Sequence, residues 1–184
     1  MKLSGTFGTA VLSLLLAGLM LTSVQLVREN SAVRAQLASA SGAKALEVGD
    51  KLKGVVGVDL DGVLQDVPLV GADDHLLILF SATCAFCLES FERYRDLELT
   101  VPPRVNVVWL LRDDPEIART FFQRKSVAGR ILMSPTYGTY RNVGLSFVPQ
   151  LIAVDSDGVV QQVWRGAPTD DGWADIDAYL DGEK

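Results

Sequence analysis

The chain has 184 residues, 48% of them apolar, with 17 basic against 23 acidic side chains and a formal charge of −6. That length suits one domain with an appendage, and the acidic balance argues against a nucleic-acid-binding surface, since phosphate backbones are held by clustered Lys and Arg. No Gly-rich phosphate loop, HExxH helix or GxSxG elbow occurs, which removes the usual nucleotide, metalloprotease and serine-hydrolase machinery.

In chain order, Phe7 to Val27 is a mainly apolar run with no charge between Lys2 and Arg28. As a helix it would span about 30 Å, enough to cross a bilayer. Residues 1–27 are therefore expected to be a signal anchor forming a single transmembrane helix. A cleaved signal peptide is the other reading, but its small-x-small site would closely follow a shorter run. The nearest such site, Ala38-Ser39-Ala40, lies well beyond. Lys2 and the amino terminus nearly balance Arg28 and Arg34, so the positive-inside rule is almost tied. Because N-terminal anchors commonly export the domain attached to them, the expected topology is single-pass in the cell membrane, with the domain on the periplasmic or extracytoplasmic side. Residues 28–45, rich in Ala and Ser, are expected to form a stalk, and residues 46–184 the domain. No internal repeat is evident.

Gly54 to Leu60 and Val63 to Val67 flank Asp61-Gly62, a turn dipeptide that predicts a leading β-hairpin. His75 to Ser81 carries five consecutive apolar residues, the pattern of a strand buried on both faces. A helix is expected next, with Leu88, Phe91, Tyr94 or Arg95, and Leu97 or Glu98 on its apolar stripe and Glu89, Glu92, Arg93 and Asp96 on its polar face. Val105 to Leu111 reads as a second buried strand, Pro115 opens a helix through Phe122, and Gly129 to Met133 forms a short strand. Leu151 to Val154 and Val159 to Trp164 are strands joined by Asp155-Ser156-Asp157-Gly158, and Trp173, Ile176, Ala178 and Leu180 mark a closing helix. Trp109, Trp164 and Trp173 fall in periodic apolar segments and are expected in the core or at its rim.

The only two cysteines, Cys84 and Cys87, sit at the strand-to-helix junction. Two cysteines cannot build a structural zinc site, which needs four ligands, and a disulfide closing so short a loop would constrain the unfolded chain little. Their value is chemical. At a helix amino terminus, free N–H groups and the positive dipole end favour an anion, so Cys84 is the expected nucleophile. Cys87, one turn further on, is placed to resolve a mixed disulfide.

Leu76 to Ser81 leading into Cys84-Ala85-Phe86-Cys87, then Phe147-Val148-Pro149-Gln150 leading into Leu151 to Gly158, and finally Trp164-Arg165-Gly166, resemble the thioredoxin superfamily. More narrowly they resemble its membrane-anchored TlpA-like and ResA-like thiol-disulfide oxidoreductases, and the methylamine-utilisation accessory family is similarly built. The resemblance spans about Leu46 to Leu180. It implies an α/β thioredoxin-like fold, a central mixed sheet flanked by helices, with the hairpin in front. It implies a cis Pro149 facing the cysteines, and Val148 presenting backbone groups to a substrate chain. The chain departs from the family at Thr83, where a tryptophan is usual, at Ile78, in place of a buried aspartate, and at Ser90, where many relatives carry a glutamate. The proton acceptor for Cys87 is thus unassigned; Glu89 and Glu92 read as solvated helix carboxylates, and His75 as a strand-edge residue.

The resulting expectation is a membrane-anchored thiol-disulfide oxidoreductase acting on cysteine pairs of client proteins, with no cofactor or metal. Its partners would be a cysteine-containing client, an upstream thiol donor and the membrane. The alternatives are a peroxiredoxin-like peroxidase and a non-enzymatic assembly factor or metal-transfer protein, since Cys-x-x-Cys can hold a soft ion such as Cu(I).

Overall fold

The structure, a computed structural model, describes residues 25, 45–134, 140 and 143–182. The expected anchor and stalk lie, except for Gln25 and Ala45, outside the described residues. Among the described residues, no helix is long and apolar enough to cross a membrane. The fold belongs to one unit, residues 43–184.

Among the described residues of that unit, seven strands and three helices succeed one another: β1 (Gly54–Val58), β2 (Leu64–Pro68), β3 (Asp74–Phe80), α1 (Ala85–Thr100), β4 (Val105–Leu111), α2 (Pro115–Phe122), β5 (Arg130–Met133), β6 (Gln150–Val154), β7 (Val160–Arg165) and α3 (Asp170–Asp181). The strands form one mixed sheet in the order β2-β1-β5-β4-β3-β6-β7. β3 and β4 run parallel, and β6 runs antiparallel to β3. A central strand must bury both faces, and all six residues from His75 to Phe80 are buried.

Alternation along β3 divides the core. Leu76, Ile78 and Phe80 point to a layer containing Cys87, Phe91, Tyr94 and Leu97 of α1, Ala118 and Phe122 of α2, and Ile176 of α3. Leu77 and Leu79 point to the other layer, with Leu52, Leu69, Tyr140 and Leu145. Trp109 is fully buried in the helix-side layer, with edge-on contacts to Phe80, Tyr94 and Phe122. Its Nε1 donates to Glu98 Oε2 at 2.8 Å. The same carboxylate accepts from the N–H groups of Ala128 at 2.5 Å and Gly129 at 3.0 Å. Glu98 thereby ties α1 to β4 and to the entry of β5, which explains why an acid occupies the apolar stripe of the helix.

The first hairpin strand ends two residues before its expected end, at Val58, because a side chain builds the turn that follows. Asp59 Oδ1 accepts from the N–H groups of Asp61 and Val63, and Oδ2 accepts from Gln65 Nε2. Asp155 does the same with Asp157, Val159 and Gln161. Asp-x-Asp-Gly-Val-x-Gln therefore occurs twice, at 59–65 and 155–161, a short local repeat where none was expected. Gly62 and Gly158 hold positive φ at matching positions. Leu88 also departs from expectation: it is 44% exposed, because the buried stripe of α1 runs through Cys87, Ser90, Phe91, Tyr94 and Leu97, and Leu88 falls to one side of it.

Candidate active site

β3 ends at Phe80, and Ser81, Ala82 and Thr83 carry the chain to Cys84, which is the N-cap of α1 with extended backbone, φ −92° and ψ 119°. The Cys84 carbonyl accepts the first helical bond from Leu88 N–H at 3.1 Å, and its own N–H donates to the Ser81 carbonyl at 3.2 Å. The Cys84 side chain makes no capping bond, and no acidic residue occupies the first turn of α1. Cys84 thus stands at the amino end of α1, where the first backbone N–H groups of the helix have no carbonyl partner within it.

Both cysteines are free thiols, Cys84 half-buried and Cys87 fully buried. Burial pushes the Cys87 thiol up to about 12 from an ordinary 9.0. A hydrogen bond from the Ser81 backbone opposes that rise, whereas Cys84 and the charge of Asp113 add to it. The two sulfurs thus differ in setting: one half-buried at a helix end, the other fully buried, where the neutral thiol is favoured.

Val148 and Pro149 arrive at the same sheet end. Antiparallel pairing of Leu79 with Gln150 sets the start of β6 beside the end of β3. The Val148–Pro149 peptide is cis; Pro149 is buried, Val148 half-buried and packed against both core layers. The Pro149 carbonyl accepts from Gly166 N–H at 2.9 Å. Phe86 and Phe147 stand 64% and 50% exposed at this end, leaving apolar surface for another chain to cover.

Other residues weighed from sequence lie elsewhere. His75 occupies the opposite end of β3. Glu89 and Glu92 are exposed on α1, and Glu92 is held below the usual carboxylate range by its bond to Lys125, with Arg95 adding to the effect. Neither enters the cysteine site. Among the described residues, no cluster of three or more His, Cys, Asp or Glu side chains could hold a metal ion.

Sequence reasoning missed Asp113. Its Oδ1 accepts from Ser81 Oγ at 2.8 Å and Thr83 Oγ1 at 3.2 Å, and its Oδ2 from Ala82 N–H at 2.7 Å. It reaches this position because parallel pairing aligns Phe80 with Leu111, bringing the two strand ends together.

No family model and no curated protein sequence matches the chain. Solved structures do. A putative thiol:disulfide interchange protein DsbE from Chlorobium tepidum superposes with TM-score 0.62 at 19% identity, over 76% of this chain and 100% of that one. A DsbF homologue from Corynebacterium diphtheriae gives 0.61 at 18% identity, over 73% and 87%. A peroxiredoxin-like protein from Aquifex aeolicus gives 0.61 at 16%, over 74% and 89%. These likenesses show a thioredoxin-like fold for the domain.

Proposed function

We propose that this thioredoxin-like fold serves as a thiol-disulfide oxidoreductase for cysteine pairs of client proteins, held by residues 1–27 on the extracytoplasmic face of a membrane. The observation that carries the proposal is the different setting of the two cysteines: Cys84 is half-buried at the amino end of α1, while Cys87 is fully buried one turn inside.

In the reducing direction, the Cys84 thiolate attacks one sulfur of a client disulfide, and the other client sulfur leaves and takes a proton. Cys87 then gives up its proton and attacks the Cys84 sulfur. The client sulfur bonded to Cys84 departs and takes a proton, leaving a client dithiol and a Cys84–Cys87 disulfide. Two electrons and two protons pass to the client. The reverse sequence makes a client disulfide. A client segment lying along Val148, with its cysteine at Cys84 and apolar residues over Phe86 and Phe147, would present its disulfide in line with the nucleophile.

Trapping tests the proposal. Cys87→Ser should accumulate a reducible client adduct through Cys84, and the further change Cys84→Ser should abolish it. Full complementation of a deletion strain by the double serine variant would refute it. The membrane tether is tested by fractionation and protease accessibility: the domain should cofractionate with membranes and be digested from the extracytoplasmic side.

A peroxidase is the second reading, raised by the peroxiredoxin-like structural neighbour. Peroxide consumption by a thiol-reduced enzyme, lost in Cys84→Ser, would favour it. The adjacent buried Cys87 fits dithiol exchange better, because it lies within one helical turn of the nucleophile.

A further inference from the structure

Two neighbouring side chains at the end of β4 hold the two segments that build the site. Asp113 binds all three residues between β3 and Cys84: the Ser81 hydroxyl, the Ala82 N–H and the Thr83 hydroxyl. Arg112 donates its own N–H to the Phe80 carbonyl, and its Nη1 reaches across to the Ser146 carbonyl at 2.5 Å. Ser146 stands three residues before Pro149. One dipeptide thus fastens the segment that delivers Cys84 and the segment that delivers Pro149.

We propose that Arg112 and Asp113 are a positioning pair for the dithiol site, Asp113 fixing Cys84 against Cys87 and Arg112 fixing Phe147 to Pro149 against the client chain. The proposal rests on the reading of this site as a thiol-disulfide exchanger. Asp113 also brings a negative charge to the site, and that charge acts on Cys87 in the same direction as burial and Cys84. Tyr94, on α1, also faces the cysteines: burial raises its phenol, and the charges of Cys87 and Cys84 act in the same direction. Geometry and charge therefore pull in opposite directions: the bonds of Asp113 help Cys87 reach Cys84, and its charge hinders loss of the Cys87 proton.

That opposition separates a positioning role from a merely structural one. In an asparagine at position 113 the side-chain oxygen can still accept from Ala82 N–H and the amide can donate to the Ser81 hydroxyl, so the fastening survives without the charge. An alanine removes both.

The test uses the full-length reduced protein mixed with the disulfide of 5-thio-2-nitrobenzoate. Attack by Cys84 releases one coloured thiolate and leaves a Cys84 mixed disulfide. Cys87 then loses its proton to solvent, attacks Cys84 and releases the second, in a phase whose rate is independent of reagent concentration. Asp113→Ala should slow this second phase by about tenfold or more, the scale on which misplacement of reacting atoms is felt. Asp113→Asn should speed it by roughly two- to fivefold at neutral pH, the scale of a charge interaction of under about 1 kcal/mol. Arg112→Ala should slow reduction of insulin, a polypeptide disulfide, by about fivefold more than it slows either phase with the small reagent, and Arg112→Lys, which can still donate to the Ser146 carbonyl, should recover part of that loss. If Asp113→Asn slows the second phase as much as Asp113→Ala, or both leave it unchanged, the role of Asp113 is overturned. If Arg112→Ala leaves insulin reduction unchanged, the role of Arg112 is overturned. A wild-type protein lacking the second phase would instead overturn the dithiol reading itself.

Discussion

Raising the pH above 9 should destabilise the reduced protein through Cys87, and replacing that residue by alanine should remove this component. Burial favours the neutral thiol, so its ionisation lies at about 12 in the fold against 9.0 for an ordinary cysteine. A folded value above the unfolded one contributes stability that is complete below pH 9 and is lost as pH rises toward 12. That gap corresponds to about 4 kcal/mol in total, at roughly 1.4 kcal/mol per pH unit. About half of it, near 2 kcal/mol, should be gone by pH 10.5. With a urea dependence of about 2 kcal/mol per molar, the midpoint would fall by about 1 M from this source alone. The assay is urea unfolding of wild type and Cys87→Ala at pH 8 and pH 10.5, under reductant. The alanine variant should be less stable at pH 8, where it has lost packing, yet fall by about 2 kcal/mol less between the two pH values. The buried phenols of Tyr94 and Tyr140 are also raised by burial; present in both proteins, they largely cancel in the difference. If the two proteins lose stability in parallel, to within about 0.5 kcal/mol, the buried neutral Cys87 thiol and the division of roles built on it are refuted.

Iodoacetamide at neutral pH should add one carbamidomethyl group to the folded reduced protein, at Cys84, and a second only after unfolding, as peptide mass spectrometry would show. Glu98→Ala should cost about 2–4 kcal/mol in urea unfolding, because it strands the fully buried Trp109 N–H and releases two backbone donors. The twin turns should respond unequally to the same change. Gly62→Ala should cost about 1–2 kcal/mol from positive φ alone, since a methyl there meets only Arg119 Nη2, at an ordinary contact distance of 3.7 Å. Gly158→Ala should cost clearly more, because its methyl would run into the Leu52 carbonyl oxygen; equal melting temperatures for the two variants would contradict that packing.

Much of the fold was legible because its central elements are strongly patterned. Leu76 to Phe80 and Val107 to Leu111 are continuous apolar runs, and the strands that carry them lie within about a residue of the expected ends, β3 buried from His75 onward and β4 from Val108 onward. Pro115 marked the start of α2, where Asp114 supplies the cap by accepting from Glu116 N–H. Cys84 and Cys87 were visible from spacing and from their place after a strand, whereas a cis Pro149 came only with the family resemblance. Leu88 was misassigned because a stripe started from Leu88 and one started from Cys87 both run through Phe91, and only the packing shows that the buried one begins at Cys87.

Asp113 was hidden for a different reason. It follows Arg112 and precedes Asp114 and Pro115, where charged residues are ordinary at a strand end and a helix cap. Its meaning depends on the parallel register of β3 and β4, which joins residues 31 apart in sequence. Glu98 did leave a trace, an acid on a buried stripe, and such an acid needs donors. The repeated Asp-x-Asp-Gly-Val-x-Gln was fully present in the sequence; only the Asp59 and Asp155 bonds reveal why the first aspartate and the final glutamine belong to the turn.

The central claim, that Cys84 and Cys87 form one reversible redox pair, is tested most directly by equilibrating the full-length protein in glutathione buffers of graded ratio and counting free thiols by alkylation and mass spectrometry. The expected result is a single two-electron transition between a dithiol and an intramolecular disulfide, reversible from either side and lost in Cys84→Ser and in Cys87→Ser. Two thiols that stay free across the whole series, or a glutathione adduct on Cys84 that Cys87 never displaces, would contradict it.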